Sequence, residues 1–147
     1  MDREEAVVIA GDAREQRGIS WAQLAEVAGK SRVWTTSALL GQQGMPAEVA
    51  EKVGAALGLD EEVVAALRTS PSKGCLADMI PTDPLMYRFY EILQVYGTTI
   101  KELIHEEFGD GIMSAIDFEM EIDRVPDPKG DRVKVTMHGK FLPYRVW

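Results

Sequence analysis

The chain has 147 residues, of which 46% are hydrophobic, and a formal net charge of −8 at pH 7. This length allows one sizeable core or two small units that support each other. The acidic balance disfavours general binding to nucleic acid, because Lys and Arg must replace counterions along the phosphates. It leaves small anionic substrates open, since a local cluster of arginines can outweigh the average field.

The cysteine and histidine content limits metal and redox chemistry. Cys75 is the only cysteine in the sequence, which excludes an intramolecular disulfide and a four-cysteine zinc site. With only His105 and His138 besides, a metal site within one chain is disfavoured. No apolar run reaches the roughly 20 residues that span a bilayer, and the acidic start lacks a signal peptide's basic region. A cytoplasmic protein in a reducing compartment is predicted.

Helical periodicity, capping residues and terminating glycines recur through the first seventy residues. Ser20 and Ser31 are placed to cap helices, and Gly18, Gly41 and Gly58 are placed to end them. Together these signals predict a compact bundle of five short helices, over residues 2–17, 21–27, 31–40, 46–57 and 60–67.

The second and third of these helices have the pattern of a helix-turn-helix, QLAEVAGKSRVWTTSALLGQ, with Gly29 in the turn. The pattern is weakly specific for DNA binding. The third helix offers Lys30 and Arg32 and then mostly uncharged side chains, and residues 1–70 contain seven Lys or Arg against eleven Asp or Glu. A DNA-binding regulator with a C-terminal oligomerisation domain remains the alternative function.

The composition changes between Arg68 and Pro84, where RTSPSKGCLADMIPTDP contains three prolines and several small polar residues. Such a segment is typical of a linker between domains. We therefore predict an N-terminal helical bundle with its linker over residues 1–78. A second domain follows over residues 79–147.

The second domain begins with an unusually apolar helix. Asp83 and Pro84 start it, and the pattern predicts that Gly97 ends it. Thr99 and Glu102 then form a capping box for a further helix up to Phe108. A tight turn, GDG, follows at residues 109–111.

Beyond Ser114 the apolar period changes from helical to two, which predicts two strands joined by the turn PDPKGD. The inward positions are apolar residues on both strands, namely Phe118, Met120, Ile122, Val133, Val135 and Met137. A two-stranded hairpin is marginal alone. The hairpin should therefore pair with strands of another chain or pack on a helix, which points to obligate oligomerisation, and the apolar tail KFLPYRVW also favours assembly.

Three polar residues in this domain are candidates for anion chemistry. Arg88 and Glu91 are three residues apart on one face of the apolar helix, where an arginine held by a carboxylate makes a fixed positive site. Ser114 could donate a hydrogen bond to an anionic substrate. The ordinary alternatives are an exposed ion pair within the helix and a local turn hydrogen bond from the serine.

The segment IPTDPLMYRFYEILQVYGTTIKELIHEEFGDGIMSAIDFEMEI resembles the C-terminal part of the cyanase family, whose members are cyanate hydratases, or cyanate lyases. GQQGMP in the bundle, KGCLADMIPTDP in the linker and HGKFLPY in the tail extend the resemblance. It is continuous from about Lys73 to Phe118 and looser over residues 1–40. Within the matched motifs MYRFYE and GIMSAI, the family's catalytic residues correspond to Arg88, Glu91 and Ser114.

The resemblance implies a mainly α fold. A five-helix bundle shaped like a helix-turn-helix DNA-binding domain, but not used for DNA, precedes a small α+β dimerisation domain with a two-stranded hairpin. It implies a homodecamer of five dimers with active sites between subunits. It further implies a bicarbonate-dependent decomposition of cyanate by way of carbamate, with no metal or organic cofactor and with small dianions as inhibitors.

Overall fold

The computed structural model describes residues 1–72 and 79–147. The contacts divide the chain into two compact units, Met1–Cys75 and Leu76–Trp147. The predicted domain boundary at residues 78 and 79 borders the segment outside the described residues, and Cys75 lies within that segment. The boundary therefore stays a prediction.

The first unit contains the five helices that the sequence predicts, so the mainly α fold class is confirmed. They are α1 (Arg3–Gln16), α2 (Trp21–Ala28), α3 (Arg32–Leu39), α4 (Ala47–Leu57) and α5 (Glu61–Leu67). Leucines and a valine from four of these helices are completely or almost completely buried and form the centre of the core, namely Leu24, Leu39, Val53, Leu57 and Leu67. These side chains close the core between the helices of the first unit.

Local capping explains where these helices begin and end. At the start of α2, the Gln23 amide donates to Ser20 Oγ at 3.2 Å and the Ser20 amide donates to Gln23 Oε1 at 2.8 Å. This reciprocal pair satisfies two amides that have no partner within the helix. Gly29 ends α2 in the left-handed region, with φ of 63°. Pro46 is the N-cap of α4, so this helix begins one residue later than predicted.

Arg3 joins the beginning of the first unit to its end. Its guanidinium donates to the carbonyl oxygens of Leu67 at 2.8 Å and Thr69 at 2.9 Å, and also to that of Gln43. These carbonyls lie at or just beyond helix ends, where no intrahelical amide satisfies them. One side chain on α1 therefore completes the C-terminal end of α5.

The second unit contains one long helix and a hairpin. The helix, α6 (Pro84–Phe108), is continuous over 25 residues, so the predicted break at Gly97 and the capping box of Thr99 and Glu102 are wrong. Gly97 does not have a positive φ, and nothing lies within 4 Å of the Cβ position there. A glycine within a helix costs only about 1 kcal/mol relative to alanine, which a helix of 25 residues tolerates.

The hairpin has the predicted antiparallel arrangement but longer strands, β1 (Gly111–Val125) and β2 (Arg132–Pro143). Ser114 therefore lies inside β1 instead of ahead of it, and Gly111 belongs to the strand and has no positive φ. The pairs Met113–Phe141 and Phe118–Gly139 enclose a bulge in β1. Phe108 contacts Phe141 with ring centroids 5.3 Å apart, which links the end of α6 to the hairpin. None of the described helices is long and apolar enough to cross a membrane.

Gly54 lies where α4 packs closely on α5, so a substitution there tests this packing. A Cβ at this position would fall well inside van der Waals contact with Cγ2 of Val64, whose branched side chain is stiff. We expect Gly54→Ala to destabilise the protein by about 1 kcal/mol, because overpacking costs about 1–3 kcal/mol and exceeds the gain in helix propensity. The measurement is the midpoint of thermal unfolding followed by circular dichroism.

Gly11→Ala on α1 is the matched control, because nothing lies within 4 Å of its Cβ position. This control should be neutral or slightly stabilising. Equal midpoints for the two variants would contradict the proposed packing.

Candidate active site

Arg88 and Glu91 lie on α6, close to its N-terminal end. Arg88 Nη1 is 3.8 Å from Glu91 Oε2, and Arg88 Nε donates to the carbonyl oxygen of Pro84 at 3.1 Å. The guanidinium carbon lies 5.3 Å from the centre of the Tyr87 ring. These three contacts hold one edge and one face of the guanidinium and leave further N–H donors available to a ligand.

The surroundings of this pair are apolar yet exposed. In the single chain 61% of the Arg88 side chain and 49% of the Glu91 side chain are accessible, and α6 has no buried residue. Large apolar side chains surround the pair, namely Leu85, Met86, Phe89, Ile92, Leu93, Val95 and Tyr96. A helix as apolar as this one is normally buried, but within one chain it is not. Contiguous apolar surface of this kind is typical of a contact between proteins.

Ser114 has a different environment, because it is 7% exposed and held by its own bulge. Its Oγ accepts hydrogen bonds from the amides of Ile116 and Asp117, each at 3.0 Å. A serine hydroxyl has two lone pairs and one proton. With both lone pairs engaged, Ser114 is left with its proton as a donor, which suits an anion and does not suit nucleophilic attack.

The three predicted site residues do not meet within one chain. Arg88 lies twenty residues before Phe108 on α6, which is about 30 Å along the helix axis. Ser114 lies beyond Phe108, and its hydrogen bonds stay within the bulge. Among the contacts of the described residues, none joins Arg88 or Glu91 to Ser114. The pair and the serine are therefore two separate halves of the candidate site.

The bulge around Ser114 is the feature that the sequence reasoning missed. Gly139 provides the signal that could have indicated it, because a glycine inside an alternating strand often marks a bulge or a close backbone approach. Gly139 pairs with Phe118 directly beside the bulge.

The structure offers little for a metal ion. Among residues 1–72 and 79–147, no group of three or more His, Cys, Asp or Glu side chains could hold one. His105 Nε2 lies 3.8 Å from Asp110 Oδ1, and His138 Nε2 lies 3.3 Å from Glu119 Oε2. Each histidine thus has a carboxylate neighbour.

Comparisons with known proteins decide the family. The model described as "Cyanate hydratase, N-terminal" matches residues 3–71, and the model described as "Cyanate lyase C-terminal domain" matches residues 78–146. The chain belongs to the cyanate hydratase family. The resemblance that the sequence motifs indicated is thereby confirmed.

Individual relatives extend the match over the whole chain. The cyanate hydratases of Ralstonia pickettii and Dechloromonas aromatica are 56% and 55% identical to it, and each alignment covers all of both chains. The crystal structure of cyanase from T. urticae matches with a TM-score of 0.81 and 39% identity, covering 94% of this chain and 96% of that one. Members of this family are lyases, and the alternative of a DNA-binding regulator is not favoured.

The bulge hydrogen bonds give a direct test of the Ser114 geometry. In Ser114→Ala the amides of Ile116 and Asp117 lose their acceptor, so they should exchange with deuterium faster than in the parent chain. Amides of the paired segment from Arg132 to Met137 should be unchanged, because their partners are on the backbone. Hydrogen–deuterium exchange with residue-level readout measures both. Unchanged exchange at residues 116 and 117 would contradict the donor-only hydroxyl.

Proposed function

We propose that this chain is a cyanate hydratase that decomposes cyanate in a bicarbonate-dependent reaction. The observation that carries the proposal is the full-length match to relatives of that name at 54–56% identity. Cyanate and bicarbonate combine, carbamate and CO2 are released, and carbamate then gives ammonia and a second CO2. Two protons are consumed for each cyanate, which balances the two negative charges of the substrates.

The electrostatic requirement of this reaction fits the residues of the second unit. Both substrates are anions and their adduct is a dianion, whereas the chain carries a net charge of −8. A concentrated positive site is therefore needed, and Arg88 is its source. We propose that Arg88 stabilises the dianionic adduct and aligns the two substrates, while Glu91 orients the guanidinium.

Ser114 contributes a hydrogen bond to a substrate oxygen or nitrogen. This role is supported by the two amides that occupy its lone pairs. Bicarbonate is the nucleophile, so no covalent enzyme intermediate is required. The site contains no metal or organic cofactor in this proposal, and small dianions such as oxalate inhibit by resembling the adduct.

The site is completed by assembly into a homodecamer of five dimers. Support comes from the exposed apolar face of α6 and from the separation of Arg88 and Ser114 within one chain. Several copies can bring together arginines and serines that one copy cannot. The domain division at residues 78 and 79 and the cytoplasmic location predicted from the sequence belong to the same proposal.

Activity measurements test the role of Arg88. The purified protein should release ammonia from cyanate only when bicarbonate is present. Arg88→Lys should retain the charge but lose the planar fork, and we expect kcat/KM to fall on the order of 100-fold. Lys52→Ala is the control, since Lys52 pairs with Glu48 on the exposed face of α4 in the first unit. Full activity in Arg88→Lys would refute this role, and no ammonia from the parent chain would refute the enzyme.

The mass in solution tests the assembly. A decamer should have a molecular mass ten times the 16.3 kDa of one chain. Leu93 on α6 is 61% exposed in a single chain and belongs to the apolar face that the assembly would bury. Leu93→Glu should therefore yield smaller oligomers or monomers, because it places a charge in that interface. Analytical ultracentrifugation measures both proteins. A monomeric parent chain with full activity would contradict a shared site.

The regulator alternative predicts salt-dependent binding to duplex DNA. The acidic balance of residues 1–70 argues against it. We expect no shift of duplex DNA at low salt in a gel assay.

A further inference from the structure

The backbone of the Ser114 bulge lies directly against Gly139 on β2. A Cβ at position 139 would fall well inside van der Waals contact with the carbonyl oxygen of Ser114. It would also lie 2.9 Å from Met113 Cγ and 3.3 Å from the carbonyl oxygen of Asp117. Gly139 has no positive φ. The absence of a side chain is therefore required for space and not for a left-handed conformation.

Because Ser114 lies in the bulge, the contact between Gly139 and the Ser114 carbonyl bears on the position of the Ser114 side chain. Between the pairs Met113–Phe141 and Phe118–Gly139, β1 has four residues where β2 has only Lys140. The Ser114 side chain is fixed from within the bulge, through the amides of Ile116 and Asp117. Its carbonyl oxygen is directed toward β2. A Cβ at position 139 would displace that carbonyl, and we expect this movement of the Ser114 backbone to shift Oγ relative to its two amides.

We propose that Gly139 is a positioning residue for the reaction, because its missing side chain admits the Ser114 backbone and so sets the direction of the Ser114 hydroxyl. Gly139 does not contact the reacting atoms and acts only through Ser114. The inference rests on the proposed function, in which that hydroxyl donates to the substrate. An error of about 1 Å in the position of a donor is enough to reduce a rate on the order of 100-fold.

A double-mutant cycle tests the proposal, with kcat and KM for cyanate measured at saturating bicarbonate. Gly139→Ala should lower kcat/KM at least about 10-fold. In a Ser114→Ala background, the same substitution should change kcat/KM by less than about 2-fold, since the hydroxyl that it misplaces is already absent. Gly11→Ala is the matched control and should be as active as the parent chain.

The cycle separates positioning from general damage to the structure. A purely structural role would lower activity by the same factor in both backgrounds, and that result would overturn the proposal. Full activity in Gly139→Ala would overturn it as well. Both outcomes presuppose an active parent chain, so they are distinct from failure of the proposed function, in which the parent chain releases no ammonia.

A second variant covers the case in which Gly139→Ala does not fold. Met113→Ala with Gly139→Ala removes the contact to Met113 Cγ and keeps the closer one to the Ser114 carbonyl. A folded double variant with at least about 10-fold lower kcat/KM than Met113→Ala supports the proposal, whereas equal activity overturns it. If neither variant folds, Gly139 is a folding requirement of the hairpin, and the positioning role is wrong.

Discussion

The second unit depends on the burial of apolar surface that one chain cannot bury by itself. In the single chain α6 is 25 residues long and has no buried residue. Most helical stability in proteins comes from packing an apolar face, and a lone two-stranded hairpin is marginal. The first unit differs, because its five helices share a closed core. The proposed assembly therefore provides the second unit with the core that the first unit forms internally.

The unburied apolar surface of α6 also surrounds two of the three candidate site residues. Arg88 and Glu91 lie among exposed apolar side chains, where a partner surface would exclude water and strengthen their field. A shielded arginine is suited to a dianion in a way that an arginine in bulk water is not. Ser114, already 7% exposed, needs no such burial. One half of the proposed site is thus preformed, and the other half depends on association.

Signals from neighbouring residues predict most of the helices and strands correctly. The predictions that are wrong or missing concern features that depend on residues farther along the chain. Ser20 and Ser31 cap α2 and α3 as expected, because capping needs only the next three residues. The prediction that a helix ends at Gly97 is wrong, because a glycine alone does not show whether the helix continues beyond it. The bulge lies against Gly139, which comes 25 positions after Ser114, and no local pattern around the serine predicts this contact. The family motifs identified the three candidate residues, but not the distance between them.

The two amides on Ser114 Oγ also limit how protons can travel in the proposed reaction. A hydroxyl transmits a proton along a chain of hydrogen bonds only when it accepts from one neighbour while donating to another. Ser114 has no lone pair left for that purpose. It can donate its own proton in a hydrogen bond, but it cannot accept a proton from a neighbour and pass one on. The two protons consumed for each cyanate must therefore reach the nitrogen through other groups, such as water or the hydroxyl of bicarbonate itself.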